Sequence, residues 1–317
     1  MGRYLINRLL QVIPLLFGIT ILVFLLVNAV PGNPVSDLAF NPTTRPEDIA
    51  AIKHALGLDQ PLYKRYFIWL GNVLRGDLGL NMVTYRPVTK DIAERLPNTL
   101  KLTFAAFALA LLFSIPVGVY SAVRRNSVFD YVATVTSVAG VSIPNFWFGL
   151  ILILFFAVRL GWFPTGGVKP VKGDATFLIQ LKHLVLPAVA LAITELAAWT
   201  RYIRGQMLEV IRQDYIRTAH AKGLRERVVI FRHALRNALL PLVTLFGLAI
   251  PSFFSGALIV ETIFSWPGIG RLTYDAAVAR NYTVIMGTVL MSSTLVILGN
   301  LLADIGYGLL DPRIKQG

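Results

Sequence analysis

Residues 204–241 read RGQMLEVIRQDYIRTAHAKGLRERVVIFRHALRNALLP, a basic amphipathic stretch set between two apolar runs. Asp214-Tyr215-Ile216-Arg217-Thr218-Ala219 begins a short helix, and the small Ala219 and Ala221 permit close approach. Gly223 breaks or caps that helix. A second amphipathic stretch follows from Val228 to Leu235. A helix–Gly–helix element lying along a membrane is shaped to sit in a groove of a soluble partner. Its basic charge equally suits an interfacial helix on anionic lipid.

The rest of the chain is membrane-spanning in character. Of 317 residues, 55% are hydrophobic and 15% charged, and mean hydropathy is +0.64. Soluble domains are about a quarter charged. The apolar residues gather in runs of about 20, the length that crosses the hydrocarbon core as helix, and the alternation of a membrane β-barrel is absent. The fold class is an all-α polytopic membrane protein. The net charge of +13 does not point to nucleic acid, because the basic residues flank or follow the apolar runs. With no cysteine, disulfides, thiolate zinc sites and iron–sulfur ligation are excluded. Arg3 and Arg8 precede an apolar run to Val30 that is too long for a signal peptide, so it reads as a retained first span.

Six spans are expected, at about 9–30, 100–123, 132–158, 184–203, 239–259 and 284–307. Residues 1–30 hold the inner N-terminus and first span, 31–98 an external helical insert, 99–307 the permease-like core, and 308–317 the inner C-terminus. With the N-terminus inside, the inner segments carry fifteen Lys and Arg and the short outer loops six. Both termini and loop 204–238 are therefore placed on the cytoplasmic side. The insert reads as three helices. Thr44-Arg45-Pro46-Glu47 forms a capping box that opens the first, which Gly57 closes. The second follows Asp59-Gln60-Pro61 with Leu62, Tyr66, Trp69 and Val73 on one face. The third, from about Thr89, carries Val88, Ile92 and Leu96 and is expected to stop before Pro97.

The chain holds no enzyme chemistry. No Gly is followed directly by Lys, so the phosphate-cradling loop of nucleotide hydrolases is absent. His54, His183, His220 and His233 lie outside the spans or at their edges, and Ser142 lacks the Gly that follows a nucleophile elbow. There is no H-E-x-x-H, and neither a catalytic residue nor a metal site is expected. Glu195 is the one carboxylate deep in a span, with Asp304 nearer the inner end of the last. Glu195 is either neutral or paired with Arg201 or Arg204, or it lines a pathway and meets a cationic group of a substrate. Ser142-Ile143-Pro144-Asn145 is polar for mid-membrane. It faces a cavity or serves as packing glue, and Pro144, Pro187 and Pro251 permit kinks.

At the 204–241 loop the chain resembles the permeases of bacterial-type ABC importers, whose cytoplasmic loop carries a Glu-Ala-Ala…Gly motif that inserts into an ATPase subunit. Arg217-Thr218-Ala219 stands in the Glu-Ala-Ala place and Gly223 in that of the Gly. Arg217 replaces the acidic residue, and the following Leu-Pro arrives late, as Leu240-Pro241. Both departures resemble the dipeptide/oligopeptide subgroup, as does His233-Ala234-Leu235-Arg236-Asn237-Ala238. Further matching stretches are Pro31-Gly32-Asn33-Pro34, Leu56 to Pro61, Gly76-Asp77-Leu78-Gly79, Glu261 to Arg271, Asn300 to Asp304 and Asp311-Pro312-Arg313. They resemble the B-type subunit, which has the larger external insert.

The resemblance implies a subunit of the prokaryotic plasma (inner) membrane. It implies a second, similar permease, two ATPases that bind ATP and Mg, an external binding protein, surrounding lipid and a peptide substrate. No cofactor of its own is implied. Asp214, Tyr215, Arg217, Ala219, Lys222, Gly223, Arg236 and Asn237 are the implied coupling residues. Ser142, Asn145 and Glu195 are candidates for the pathway, and Glu261, Trp266, Pro267 and Gly268 for an external gate or turn. Similar permeases also move glutathione, nickel chelates or oligosaccharides. The alternatives from other classes are an ion-coupled secondary transporter, disfavoured by the scarcity of intramembrane carboxylates, and a membrane scaffold or receptor.

Overall fold

The computed structural model describes residues 2–29, 59–170, 176–239, 242 and 257–310, without the side chains of 2–9 and 302–310. Helix dominates them. In chain order α1 is Gly2–Ala29, α2 Leu62–Leu74, α3 Val88–Val123, α4 Val128–Ser142 and α5 Asn145–Leu152. α6 is Phe177–Ile211 and α7 Asp214–Ala221. α8 covers 226–238, with a π-helical centre at Val229–Ala234. α9 is Leu258–Ile263, α10 Ile269–Val278 and α11 Tyr282–Leu310.

Four helical stretches are long and apolar enough to cross a membrane: Leu10–Ala29, Val88–Val123, Phe177–Ile211 and Tyr282–Leu301. α4 and α5, the latter continued by a π-helical turn over Ile153–Arg159, add a fifth if the bent pair is one crossing. The first insert helix (44–57), most of the 239–259 span and the tail beyond 310 lie outside the described residues.

Three elements differ from the sequence expectation. The 132–158 span is not one helix, because its axis turns by 107° between α4 and α5. Pro144 disfavours helical backbone at the residue before it, and Ile143 is extended at φ −81, ψ 124. The Ser142 hydroxyl turns back to the Val138 carbonyl at 2.9 Å. Conversely, the third insert helix does not stop before Pro97 but runs through it to Val123. The ring there deprives only the Ala93 carbonyl, on an exposed face, of its partner. Buried Val88, Ile92 and Leu102 hold the helix on both sides of the break. Finally, the 184–203 span extends at both ends into the 35-residue α6, so Arg204 to Ile211 belong to that helix and not to a loop.

α6 is the central post. It packs against α3, α4 and α5, and the approach is close because the facing residues are small. A Cβ on Gly118 of α3 would lie 2.9 Å from Ile203 Cβ and from the Thr200 carbonyl, and one on Gly140 of α4 2.9 Å from Ala197 Cβ. Helices in lipid gain nothing from excluding water, so such contacts carry the association. α1 stands apart from this post. It packs on α11, where Val23, Phe24 and Val27 meet Tyr66 of α2 and Tyr282 and Met286 of α11. Gly118→Val is expected to lower the thermal unfolding temperature of the purified protein, by overpacking worth about 1–3 kcal/mol. Gly205→Ala, on α6 with open space around it, is the control and should not lower it.

Candidate functional site

The sequence-predicted residues fall into three groups along the bundle. α3 and α6 set the scale, since α3 carries Thr99 near one end and Ser121 near the other, about 33 Å apart at 1.5 Å per residue. That matches the thickness of a hydrocarbon core.

The first group is α7. Gln213 enters with extended backbone, and the helix closes on Gly223 at φ +74. The Gly223 amide donates to the His220 carbonyl at 2.9 Å and the Leu224 amide to that of Ala219 at 3.4 Å. These are the two bonds of a Schellman closure, which requires the left-handed backbone that glycine adopts without penalty. A Cβ there would meet nothing within 4 Å, so conformation and not crowding selects glycine. The helix is two-faced. Ile216 and Ala219 are buried in one cluster with Ile203 and Met207 of α6 and Val229, Ala234 and Ala238 of α8. Asp214, Tyr215, Arg217, Lys222 and Gly223 face outward. Asn237 joins this group across sequence by donating to the Tyr215 hydroxyl at 2.8 Å, and Arg236 beside it is exposed. Ala219, expected to allow a partner close, instead faces the chain's own core.

The second group lies at the α4–α5 bend, against the middle of α6. Thr194 of α6 donates to Asn145 Oδ1 at 2.6 Å, fixing the start of α5 on the post. Glu195 is the next residue and is exposed. Among the described residues its carboxylate has no hydrogen-bond or ion-pair partner. Pairing with Arg204 is ruled out, because that guanidinium is held elsewhere. Arg204 Nε and Nη2 both bind Asp130 of α4, at 2.5 and 2.8 Å. Ser142 is exposed on the same bend but spends its hydroxyl on its own helix.

The third group is the turn between α9 and α10. Glu261 is fully buried, and its carboxylate accepts from the Thr99 hydroxyl at 2.7 Å and from the Arg271 amide at 3.0 Å. Thr99 in turn accepts from the Ile269 amide at 2.8 Å. Glu261 and Thr99 thus satisfy two of the free amides at the start of α10, and the carboxylate lies where that helix presents its positive end. No side chain fits at Gly268, because a Cβ would collide with the Glu261 carboxylate. Trp266 is buried and donates from its indole to the Asn98 carbonyl at 2.9 Å, while Asn98 Nδ2 donates to the Pro267 carbonyl at 3.0 Å. Ser265 holds a left-handed backbone at φ +49, an uncommon state for a residue with a side chain. The Phe264 carbonyl accepts from the Gly167 amide at 2.8 Å, and His183 Nδ1 of α6 lies 2.9 Å from the Gly166 carbonyl. The turn therefore ties α3, α6, the segment after α5 and α10 together.

Sequence reasoning did not find Thr99, Asn98, His183 or the Asp130–Arg204 pair. Asp130 carries one local signal, since it stands three residues after Ser127, whose hydroxyl caps α4 by accepting from the Asp130 amide at 3.2 Å. Among the described residues no group of three or more His, Cys, Asp or Glu side chains is placed to hold a metal ion.

Comparison with known proteins covers the whole chain. It is 50% identical over 316 residues to the oligopeptide transport system permease protein AppB of Bacillus subtilis, covering 99% of this chain and 100% of that one. It is 42% identical over 334 residues to the di/tripeptide transport system permease protein DppB of Pseudomonas aeruginosa, covering 100% and 99%. The glutathione transport system permease protein GsiC of Escherichia coli is 39% identical over 315 residues, covering 99% of each chain. Residues 1–103 match the N-terminal family described as Binding-prot-dependent transport system membrane comp, N-term. Residues 114–316 match the other half, and the chain belongs to the family of binding-protein-dependent transport system inner membrane components.

Proposed function

We propose that this chain is the B-type permease subunit of an ATP-driven peptide importer and forms half of the translocation pathway. In this reading it crosses the inner membrane six times with both termini in the cytoplasm. It pairs with a second permease, engages two ATPases through α7 and receives substrate from an external binding protein. ATP and Mg belong to the ATPases, and this chain hydrolyses nothing. The observation that carries the reading is the two-faced α7. Its inner face is welded to the end of α6 by Ile216 and Ala219, while its outer face leaves Tyr215, Arg217 and Lys222 exposed. A groove on a partner that holds the outer face thereby holds α6.

The relatives' names support a peptide substrate. The 39%-identical glutathione permease favours one second reading, in which the same machinery carries that modified tripeptide. At the α4–α5 bend, Glu195, Asn145 and Ser142 line the pathway. A carboxylate facing lipid is costly, so its unpartnered exposure fits a water-filled path or a partner subunit. The α9–α10 turn acts at the external end as a gate support.

The decisive test is uptake by vesicles carrying the assembled complex, supplied with ATP and radiolabelled di- and oligopeptides or glutathione. Gly223→Leu is expected to abolish coupled uptake, because a side chain at φ +74 costs about 1–2 kcal/mol and distorts the docking turn. Gly223→Asn, which tolerates this backbone, should retain most of it. Full transport by Gly223→Leu would overturn the role of α7. Glu195→Gln is expected to weaken uptake of substrates with a free ammonium group more than that of N-acylated ones, and an unchanged preference would remove Glu195 from the pathway. Glu261→Ala should leave ATPase copurification intact but lower the thermal midpoint, because each buried amide or hydroxyl left unpaired costs about 1–3 kcal/mol.

A further inference from the structure

The two polar knots at the ends of the bundle are not alike. The α9–α10 turn is a mesh of backbone bonds around one carboxylate. The opposite knot is a single ion pair whose side chains come from three different helices. Asp130, on α4, is almost fully buried. Its carboxylate takes both forks of Arg204 on α6, the Ser121 hydroxyl on α3 and, at 3.0 Å, the Asn126 amide before α4. This is bidentate, charge-assisted bonding, the strongest kind of side-chain contact.

Its position along α6 gives it consequence. Arg204 is next to Ile203 and one turn before Met207, and those two fully buried side chains form the seat for Ile216 and Ala219 of α7. α7 is joined to α6 a second time by the two residues between Ile211 and Asp214. A push on α7 therefore arrives at α6 within a turn of Arg204. Elsewhere α6 touches α3 and α4 through apolar contacts, with Gly118 against Ile203, Gly140 against Ala197 and the Phe107 ring edge-on to Trp199. Apolar contacts without polar bonds permit packed helices to shift by small sliding motions. The ion pair does not slide, because displacement leaves a buried carboxylate unpaired.

We propose that the Asp130–Arg204 pair is a positioning clamp that makes the ends of α3, α4 and α6 move as one body with α7. The clamp rests on the reading of α7 as the element a partner ATPase displaces. Without it, α7 and α6 shift against α3 and α4, and hydrolysis continues without moving the pathway.

The chain lacks cysteine, so cysteines introduced at exposed Gln213, before α7, and Tyr131, on α4, are its only labelling sites, with partner subunits used in cysteine-free form. Distances would be measured in the assembled complex in nanodiscs, with and without ATP, beside peptide transported per ATP hydrolysed. With the native pair, the label distance should be the same in both states. Asp130→Asn should make it broad or ATP-dependent and lower the transport-to-hydrolysis ratio about five-fold, the effect of roughly 1 kcal/mol, while hydrolysis persists. Arg204→Lys, which keeps the charge and loses the fork, should fall between. Uptake and hydrolysis falling in parallel at a fixed ratio, or an unchanged label distance in Asp130→Asn, would overturn the clamp. If Asp130→Asn fails to assemble, Arg204→Lys and Ser121→Ala carry the same two readouts. If the complex with the native pair hydrolyses ATP without accumulating peptide, the substrate reading fails, and the label distances still decide the clamp.

Discussion

The core of this bundle depends on how closely helices approach α6. In a bilayer no water is expelled when two apolar helices meet, so attraction comes from dispersion at short range and from polar groups that need partners. Gly118, Gly140 and Ala197 let α3 and α4 approach closely enough for the first. Thr194 with Asn145, His183 with the 166–167 carbonyls, and Arg204 with Asp130 supply the second at three heights. A helix serving as the common wall for three others has little freedom to change alone.

The two ends solve the problem of buried charge differently. Among the described residues Glu261 has no cationic side chain bonded to its carboxylate; it is compensated by amides at a helix start, with Thr99 as relay. Amides at a helix N-terminus stabilise a carboxylate through their own hydrogen bonds and the aligned dipoles behind them. Asp130 instead meets a full guanidinium. The first arrangement fixes a turn whose geometry is set by backbone. The second fixes the register of whole helices, because its partners lie 74 residues apart. These are the properties expected of a support and of a clamp.

α7 joins those mechanics to a surface. Only Ile216 and Ala219 of its eight residues are buried, so it is held to the bundle by a narrow stripe and by its covalent neighbours. The Schellman closure at Gly223 and the Asn237–Tyr215 bond keep it in shape. A partner gripping its exposed face meets a rigid handle.

By itself the sequence determined the class of protein, most of the apolar helices and the short helix that ends at Gly223. Apolar runs of span length and the Gly at a helix end are local signals with direct physical meaning. The shared face of Tyr66, Trp69 and Val73 on α2 was legible for the same reason, whereas Leu62, read onto that face, is exposed. Tertiary structure alone decided the rest. Pro97 and Pro144 carry the same local penalty, yet α3 continues through the first and the chain turns by 107° at the second. At Pro97 buried neighbours on both sides hold one axis, and at Pro144 Asn145 is anchored to α6. Arg204 shares a helix with Glu195, but pairs with Asp130, because helix geometry turns Glu195 to another face of α6. Ala219 read as part of an outer surface and is inner core. In each case the outcome is set by what a neighbouring helix presents, and that information is absent from any local stretch of chain.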